Sequence, residues 1–435
     1  MDEQRIAAAA QGVLRGNDTG TLITAAPALY PHQWSWDAAF VSLGLATFDV
    51  PRALAELEHL RAAQWRSGMI PHIVFSPGTG YFPDATRWRT QQLSPPGVET
   101  SGICQPPVHA IALRRIRQRA AGGPGEVAVL AYLRRTFDSW LAWHRWLHTA
   151  RTGESGLVTI HHGWESGMDN SPRFDGAYSR VEPGDLEPFT RTDTRVADPS
   201  ERPSDLEYRR YLWLVQQLAD VGYRDDEARD ACDFAVGDVF FSAVLAVADD
   251  DLAAIAEELD RPADAARLRV WADRARAAVD ATIDPATGLA RDRDLRTGEW
   301  LGVPCVSGFA PLLSTRDPGV RARQTTLAGP EWLGAPGLAF RVPCSTSPAS
   351  PAFESRRYWR GPNWPVLTWF LAHQARRGGD EDLFARLRAE SLAQLADLQF
   401  GEYYEPFTAE PLGSRRQSWT AAVALEWLSP AVGPD

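Results

Sequence analysis

The chain has few cysteines, no long apolar run and no block of positive charge. Its four cysteines, Cys104, Cys232, Cys305 and Cys344, are far apart. That spacing excludes the paired arrangement of a zinc site and argues for reduced, structural thiols. No metal and no cofactor are expected. No apolar stretch is long enough to span a membrane, so none is expected as a partner. The N-terminus, Met1-Asp2-Glu3-Gln4-Arg5, is acidic and lacks a signal-peptide core, which makes the cytoplasm the expected location. The formal net charge is −11 and there is no run of Lys or Arg. This argues against nucleic acid as a partner, because phosphate binding needs a basic face. Neither composition nor spacing fixes an oligomeric state, which leaves room for a homo-oligomer.

What is abundant is tryptophan, 17 in 435 residues. Most serve a large helical core as filler. The informative ones sit beside polar residues in loops, where an aromatic face stacks on the C–H surface of a sugar and a carboxylate bonds to its hydroxyls. The chain reads as a succession of about ten to twelve helices with few strands. Helical spacing predicts elements at roughly 4–14, 37–47, 107–120, 126–148, 261–282, 304–314, 363–377, 380–398 and 417–429. Another is predicted from Pro51 to Gly68, with proline at a first-turn position. A continuous helix is predicted over about 226–259. Ser204-Asp205-Leu206-Glu207 is a capping box that starts a helix running to about 220. Turns at 284–288 and 296–299 predict a small hairpin between helices. Residues 157–160 look extended. Two long polar loops, 76–104 and 176–203, are rich in Pro, Gly and charge and are expected to border a site, the second as a lid. No linker interrupts the chain, so residues 1–435 read as one domain. The expected fold class is all-α, a closed toroid of helical hairpins with its long loops at one mouth.

One loop concentrates the chemistry. His161-His162-Gly163-Trp164-Glu165-Ser166-Gly167-Met168-Asp169-Asn170-Ser171-Pro172-Arg173-Phe174-Asp175 combines aromatic, acidic and turn-forming residues. A general acid working near neutral pH needs a raised pKa, which apolar surroundings supply. Trp164, Met168 and Phe174 could give these to Asp169. On local evidence Glu165 and Asp175 are equal candidates, and Asp169 could instead cap a turn or pair with Arg173. Glycosidases use two acids, and a second stands in Phe400-Gly401-Glu402-Tyr403-Tyr404-Glu405-Pro406, where Glu405 rivals Glu402. Tyr30, Trp34, Trp36 and Asp37 offer stacking and a hydroxyl acceptor. Tyr358-Trp359-Arg360-Gly361-Pro362-Asn363-Trp364 repeats the theme before a helix. Gln105 and Gln417 could bond hydroxyls. Arg202, before the capping box, and Tyr208, in the first turn after it, could receive a carboxylate at the helix N-terminus. Arg202 could equally pair with Asp198 or Glu201.

The segment Trp164–Arg173 resembles the acid-bearing motif of glycoside hydrolase family 63 and related trehalase-like enzymes. The 358–364 and 402–406 segments resemble two further motifs of that family. The likeness runs from about Tyr30 to Trp427 and is nearest to the bacterial mannosylglycerate and glucosylglycerate hydrolases. It implies a single (α/α)6 toroid and hydrolysis with inversion. It places the general acid on Asp169 and the general base on Glu402. The sugar site falls on Tyr30, Trp34, Trp36, Asp37, Gln105, Tyr358, Trp359, Trp364 and Gln417. The glycerate site falls on Tyr81, Arg202 and Tyr208. Phe174 departs from the pattern, standing where many relatives are expected to have Trp. The implied activity is cleavage of a 2-O-α-glucosyl- or mannosyl-glycerate. The nearest alternative is another small α-glucoside or a trehalose-like disaccharide on the same fold. A sugar isomerase would need paired histidines facing the ring, and the nine histidines show no such pairing in the motif loops. A non-catalytic sugar binder would not need two distant acids.

Overall fold

The computed structural model describes residues 2–429. Thirteen longer or ring-forming helices organise it: α1 (Glu3–Gly16), α2 (Ser35–Leu45), α3 (Val50–Ala62), α4 (His109–Ala120), α5 (Glu126–Trp146), α6 (Asp205–Asp220), α7 (Val239–Glu258), α8 (Pro262–Asp280), α9 (Ala310–Ser314), α10 (Pro318–Arg323), α11 (Pro365–Arg377), α12 (Glu381–Gln394) and α13 (Ser418–Leu428). Six of them close a ring by packing in the order α13, α2, α4, α7, α9, α11 and back to α13. Their partners α1, α3, α5, α8, α10 and α12 lie outside that ring, each against an inner helix. The chain thus alternates between outer and inner positions and builds an (α/α)6 toroid, the expected class. Helix α6 belongs to an excursion at the mouth.

Sequence pattern sorts the two layers. Every residue of α2 and of α13 down to Trp427 is buried, as is α11 from Pro365 to Ala375. A helix that is apolar all round belongs in the interior. Outer helices bury one stripe only: in α1 it is Ile6, Ala10, Val13 and Leu14. Gly44 lets α2 approach α13, because a Cβ there would strike Ala422.

Several predicted elements end elsewhere than expected. The helix opened by Pro51 stops at Ala62, and Gly68 sits beyond it at φ +102° in a separate turn. Two short strands, β1 (Gln33–Trp34) and β2 (Ile73–Val74), pair antiparallel. The predicted 226–259 helix is two helices, Asp225–Ala231 and α7, with strand β4 (Val236–Asp238) between them. β4 is the second strand of an antiparallel sheet in the order β3 (Val158–Ile160), β4, β5 (Asp292–Asp294), β6 (Trp300–Leu301). Val158 pairs with Asp238, Ile160 with Val236, and Val236 with Asp294. The segment Phe234–Val239, apolar apart from Gly237 and Asp238, suits strand or helix alike, and the choice is made by partners far away in the chain. The β5–β6 hairpin stands where the turns predicted it. The sheet matters because β3 delivers the chain into the 161–175 loop.

Among the described residues, no helix is long and apolar enough to cross a membrane. The four cysteines are free and buried.

Candidate active site

The inner helices present their N-terminal ends to one mouth. Trp34, Trp36 and Asp37 lie at the start of α2, Gln105 just before α4, Tyr358 and Trp359 just before α11, and Gln417 is the N-cap position of α13. These residues meet around a pocket of about 830 Å³ including its open mouth, within the size range of small-molecule sites. Tyr30, Tyr81, Asp169, Arg202, Tyr208 and Glu402 complete it. Of the expected site residues only Trp364 is missing from the wall. It lies flat behind Trp359, ring centres 3.5 Å apart and planes within 3°. It therefore backs the Trp359 ring instead of lining the cavity. The pocket also takes in residues outside the expected set: Trp164, His72, Phe82, Tyr211, Asp193 and Trp419. Trp164 and Trp419 stand within a few positions of expected residues and carried a signal. Asp193 is one acid among many in a polar loop and carried none.

The 161–175 loop is fixed at many points, and this separates its three acids. His162 accepts from the Trp164 amide at 3.0 Å and meets the Tyr211 carbonyl at 3.0 Å. Gly167, at φ +72°, leaves room for the Trp36 ring where a Cβ would collide with it. Glu165 turns away from the pocket, accepts from the His161 amide at 2.7 Å and pairs with Arg151 at 2.9 Å. Asp175 is taken by Arg360, two bonds of 2.8 Å. Asn170 accepts from the Trp359 amide at 3.1 Å, joining this loop to the 358–364 segment. Arg173 is not the partner of Asp169, since it is buried between Asp238 and Asp292 at 2.9 and 2.7 Å. Phe174 packs on Arg173 and Phe234, away from the pocket, and Met168 is a buried core residue outside the wall. Asp169 alone of the three faces the cavity.

The second acidic loop resolves in the same way. Glu405 accepts from the Phe407 and Thr408 amides at 2.8 and 2.6 Å and holds a turn. Glu402 is buried and faces the pocket. Tyr30 donates to its Oε1 at 2.9 Å, and the Ser414 amide to its Oε2 at 3.0 Å. Arg202 Nη1 lies 3.8 Å from Oε1, and Arg202 Nη2 donates to the Tyr30 hydroxyl at 2.9 Å. The Arg202 guanidinium also sits over the Tyr358 ring, 4.0 Å from its centre. Asp193, at 3.4 Å from Arg202 Nε and doubly bonded by Arg191, braces it from behind. Arg202 thus pairs with neither Asp198 nor Glu201. The N-terminus of α6 is closed by its own capping box, with Ser204 and Glu207 bonded reciprocally. The positive charge at the mouth is therefore Arg202 itself, not the free end of a helix. Tyr208 bonds to the Phe82 carbonyl at 3.2 Å, linking the 176–203 side of the mouth to the 76–104 side. Arg191 holds the 176–203 segment through Asp193, Asp205 and the Pro203 carbonyl.

The two facing carboxyls are not in equal surroundings. Burial pushes the Asp169 carboxyl up to about 7, with Arg202 and the Tyr358 hydroxyl pulling back and Glu402 adding to the rise. Burial also raises Glu402, but Arg202, the Ser414 amide and Tyr30 all favour its ionised form. Asp37 is raised well above the carboxylate range by burial and by Glu402, against its own backbone amide. Four acids, Asp37, Asp169, Asp193 and Glu402, line this space with Arg202 as the guanidinium in the wall, so charge is under-compensated. Tyr358 is held at φ +38°, a conformation that costs roughly 1–3 kcal/mol for a non-glycine residue and is typical of functional sites.

An (α/α)6 toroid whose mouth gathers an aromatic wall and two carboxyls of unequal basicity defines a glycosidase. The comparisons agree. Residues 30–420 match the family model described as the mannosylglycerate hydrolase MGH1-like glycoside hydrolase domain, and the chain belongs to that family, within glycoside hydrolase family 63. It is 51% identical over 435 residues to a glucosylglycerate hydrolase of Mycolicibacterium hassiacum, covering 98% of each chain. It is 38% identical to a mannosylglycerate hydrolase of Rubrobacter radiotolerans over 96% of both. Its structure superposes with a TM-score of 0.90 on a mannosylglycerate hydrolase of Thermus thermophilus in complex with Tris and D-glycerate, at 37% identity and covering 97% and 99% of the two chains.

Proposed function

We propose that this glycosidase hydrolyses a glycosyl-glycerate with inversion, and that 2-O-α-glucosylglycerate is its preferred form. The observation that carries the reading is the asymmetry of the two pocket carboxyls. Asp169, raised to about 7, holds a proton near neutrality and donates it to the glycosidic oxygen. Glu402, raised by burial but drawn back toward the anion by Arg202, the Ser414 amide and Tyr30, takes a proton from the water that attacks the anomeric carbon. The sugar stacks on Trp36 and Trp359 and bonds through Asp37, Gln105 and Gln417. Tyr81, Arg202 and Tyr208 hold the glycerate carboxylate, with Arg202 as the cation. The 76–104 and 176–203 loops border the mouth as a lid over one catalytic domain.

The preference for glucose is supported by the 51% identity to a glucosylglycerate hydrolase, against 38% for a mannosylglycerate hydrolase. A panel of glucosylglycerate, mannosylglycerate, trehalose and a neutral glucosyl-glycerol tests it. The expected order places glucosylglycerate first and the neutral analogue far below it. Equal turnover of charged and neutral aglycones would remove the glycerate assignment.

A further inference from the structure

Arg202 is the one guanidinium in the pocket wall, and its fork is only partly used. Its Nη2 donates to the Tyr30 hydroxyl at 2.9 Å, and its Nε reaches Asp193 at 3.4 Å. Its Nη1 is buried and bonds to no described residue. Glu402 Oε1 stands 3.8 Å from Nη1. That is beyond hydrogen-bond reach but well within range of strong electrostatic attraction. Tyr30 closes the circuit, because the hydroxyl that accepts from Arg202 also donates to Glu402 Oε1 at 2.9 Å. Such a chain strengthens each bond in it. The free enzyme thus holds its base damped, attended by one cation directly and again through one phenol.

We propose that an acidic aglycone activates the base. Its carboxylate takes Arg202 Nη1, neutralises the guanidinium that attends Glu402, and leaves Glu402 a stronger proton acceptor. This rests on the glycerate reading above.

The groups facing Glu402 leave no other cation for this part. They are Asp37 on α2, Asp169 on the 161–175 loop, Arg202, and the phenols of Tyr30, Tyr81, Tyr358 and Tyr403. The phenols are neutral near pH 7, and burial keeps Asp37 toward its neutral form. A cation at this range changes the proton affinity of a carboxyl by roughly 10- to 1000-fold. A carboxylate seated on Arg202 removes part of that effect, and its own charge acts in the same direction. A neutral aglycone of equal size leaves the guanidinium charged and Glu402 damped. Discrimination against it therefore falls on kcat as well as on binding. The charge of the aglycone is read at the reacting centre.

The coupling has a signature that needs no turnover. If a carboxylate on Arg202 strengthens Glu402 as a base, its binding must draw a proton from solution. The test is calorimetric titration with D-glycerate from about pH 5 to 7, where free glycerate is already ionised, in two buffers of different ionisation enthalpy. Asp169→Asn is used, to remove the other pocket carboxyl that titrates near this range. Binding should take up as much as about half a proton per glycerate, the yield of a tenfold gain in proton affinity. Adding Glu402→Gln should abolish the uptake while glycerate still binds. Binding without uptake in Asp169→Asn would overturn the coupling and leave the glycerate reading intact. Uptake that survives Glu402→Gln would place the proton elsewhere and overturn it too. Absence of glycerate binding would remove the glycerate reading itself. If a variant fails to fold, wild-type kinetics carry the test. The acid limb of kcat should then lie at higher pH than that of kcat/KM on glucosylglycerate, with a smaller gap on the neutral glucosyl-glycerol. Equal gaps would overturn the proposal.

Discussion

The toroid has a cleft at each end, and the two differ in how their charges are matched. The far end, at the C-terminal ends of the inner helices, holds the larger space, about 2350 Å³ including open solvent against about 830 Å³ at the mouth. It is lined by many guanidiniums, and most are matched with carboxylates: Arg276 and Arg316 with Asp250, Arg377 with Asp251, Arg115 with Glu426. Arginine near a helix C-terminus also complements its dipole. At the mouth, four acids, Asp37, Asp169, Asp193 and Glu402, line the cavity with one guanidinium, Arg202. The far end spends its charges on holding helices together. The mouth leaves carboxyls poised to exchange protons, so unmatched charge marks the site where volume does not.

The sharpest way to break this contrast is to neutralise the mouth. Asp169→Asn and Glu402→Gln should each lower kcat by about 10³-fold, roughly 4 kcal/mol of barrier. In the intact enzyme kcat/KM should fall tenfold per pH unit above about 7, because Asp169, raised to about 7, must be protonated. The acid limb should be displaced upward from that of an ordinary glutamate, since burial also raises Glu402. A flat profile from pH 5 to 9 would deny both roles.

At the far end the effect should fall on stability instead. Glu426 is buried and shared by Arg115 and Arg119. Glu426→Gln should cost about 3 kcal/mol in urea unfolding, as expected for breaking a buried ion pair, with kcat kept within about twofold of wild type. A large loss of kcat in a folded variant would erase the distinction between the ends.

Arg202→Ala should lower kcat/KM on the acidic aglycone by roughly 10–100-fold, the worth of a charge-assisted bond. A neutral analogue should lose much less, and equal losses would make Arg202 a support for Glu402 only. The smallest effect runs in the opposite direction. Because its native pKa is raised, Asp169 contributes stability below its ordinary value of 3.8, and that contribution is lost as pH rises to about 7. Asp169→Asn should therefore unfold at higher denaturant than wild type at pH 8, by about 1–2 kcal/mol. A destabilised variant would mean that the carboxylate is well satisfied.

Most of the ring was legible in the sequence because it is written in helix periodicity. All-buried α2 and α13 and one-striped α1 carry their layer in their own residues. Strand β4 was not legible, because its conformation is set by β3 and β5 from far away in the chain. In the site, three acids of one loop looked alike until Arg151 and Arg360 were seen to take Glu165 and Asp175. Trp364 and Trp359 differ only in which is in front, and composition cannot state that. Asp193 acts through Arg202, a contact no motif records.

Central to the proposed reaction is the pairing of Asp169 and Glu402 through one water. The most direct test is proton NMR of the first sugar released from 2-O-α-glucosylglycerate, read before mutarotation. Attack by that water on the face opposite the leaving group predicts β-glucose. Release of α-glucose would show retention and contradict it.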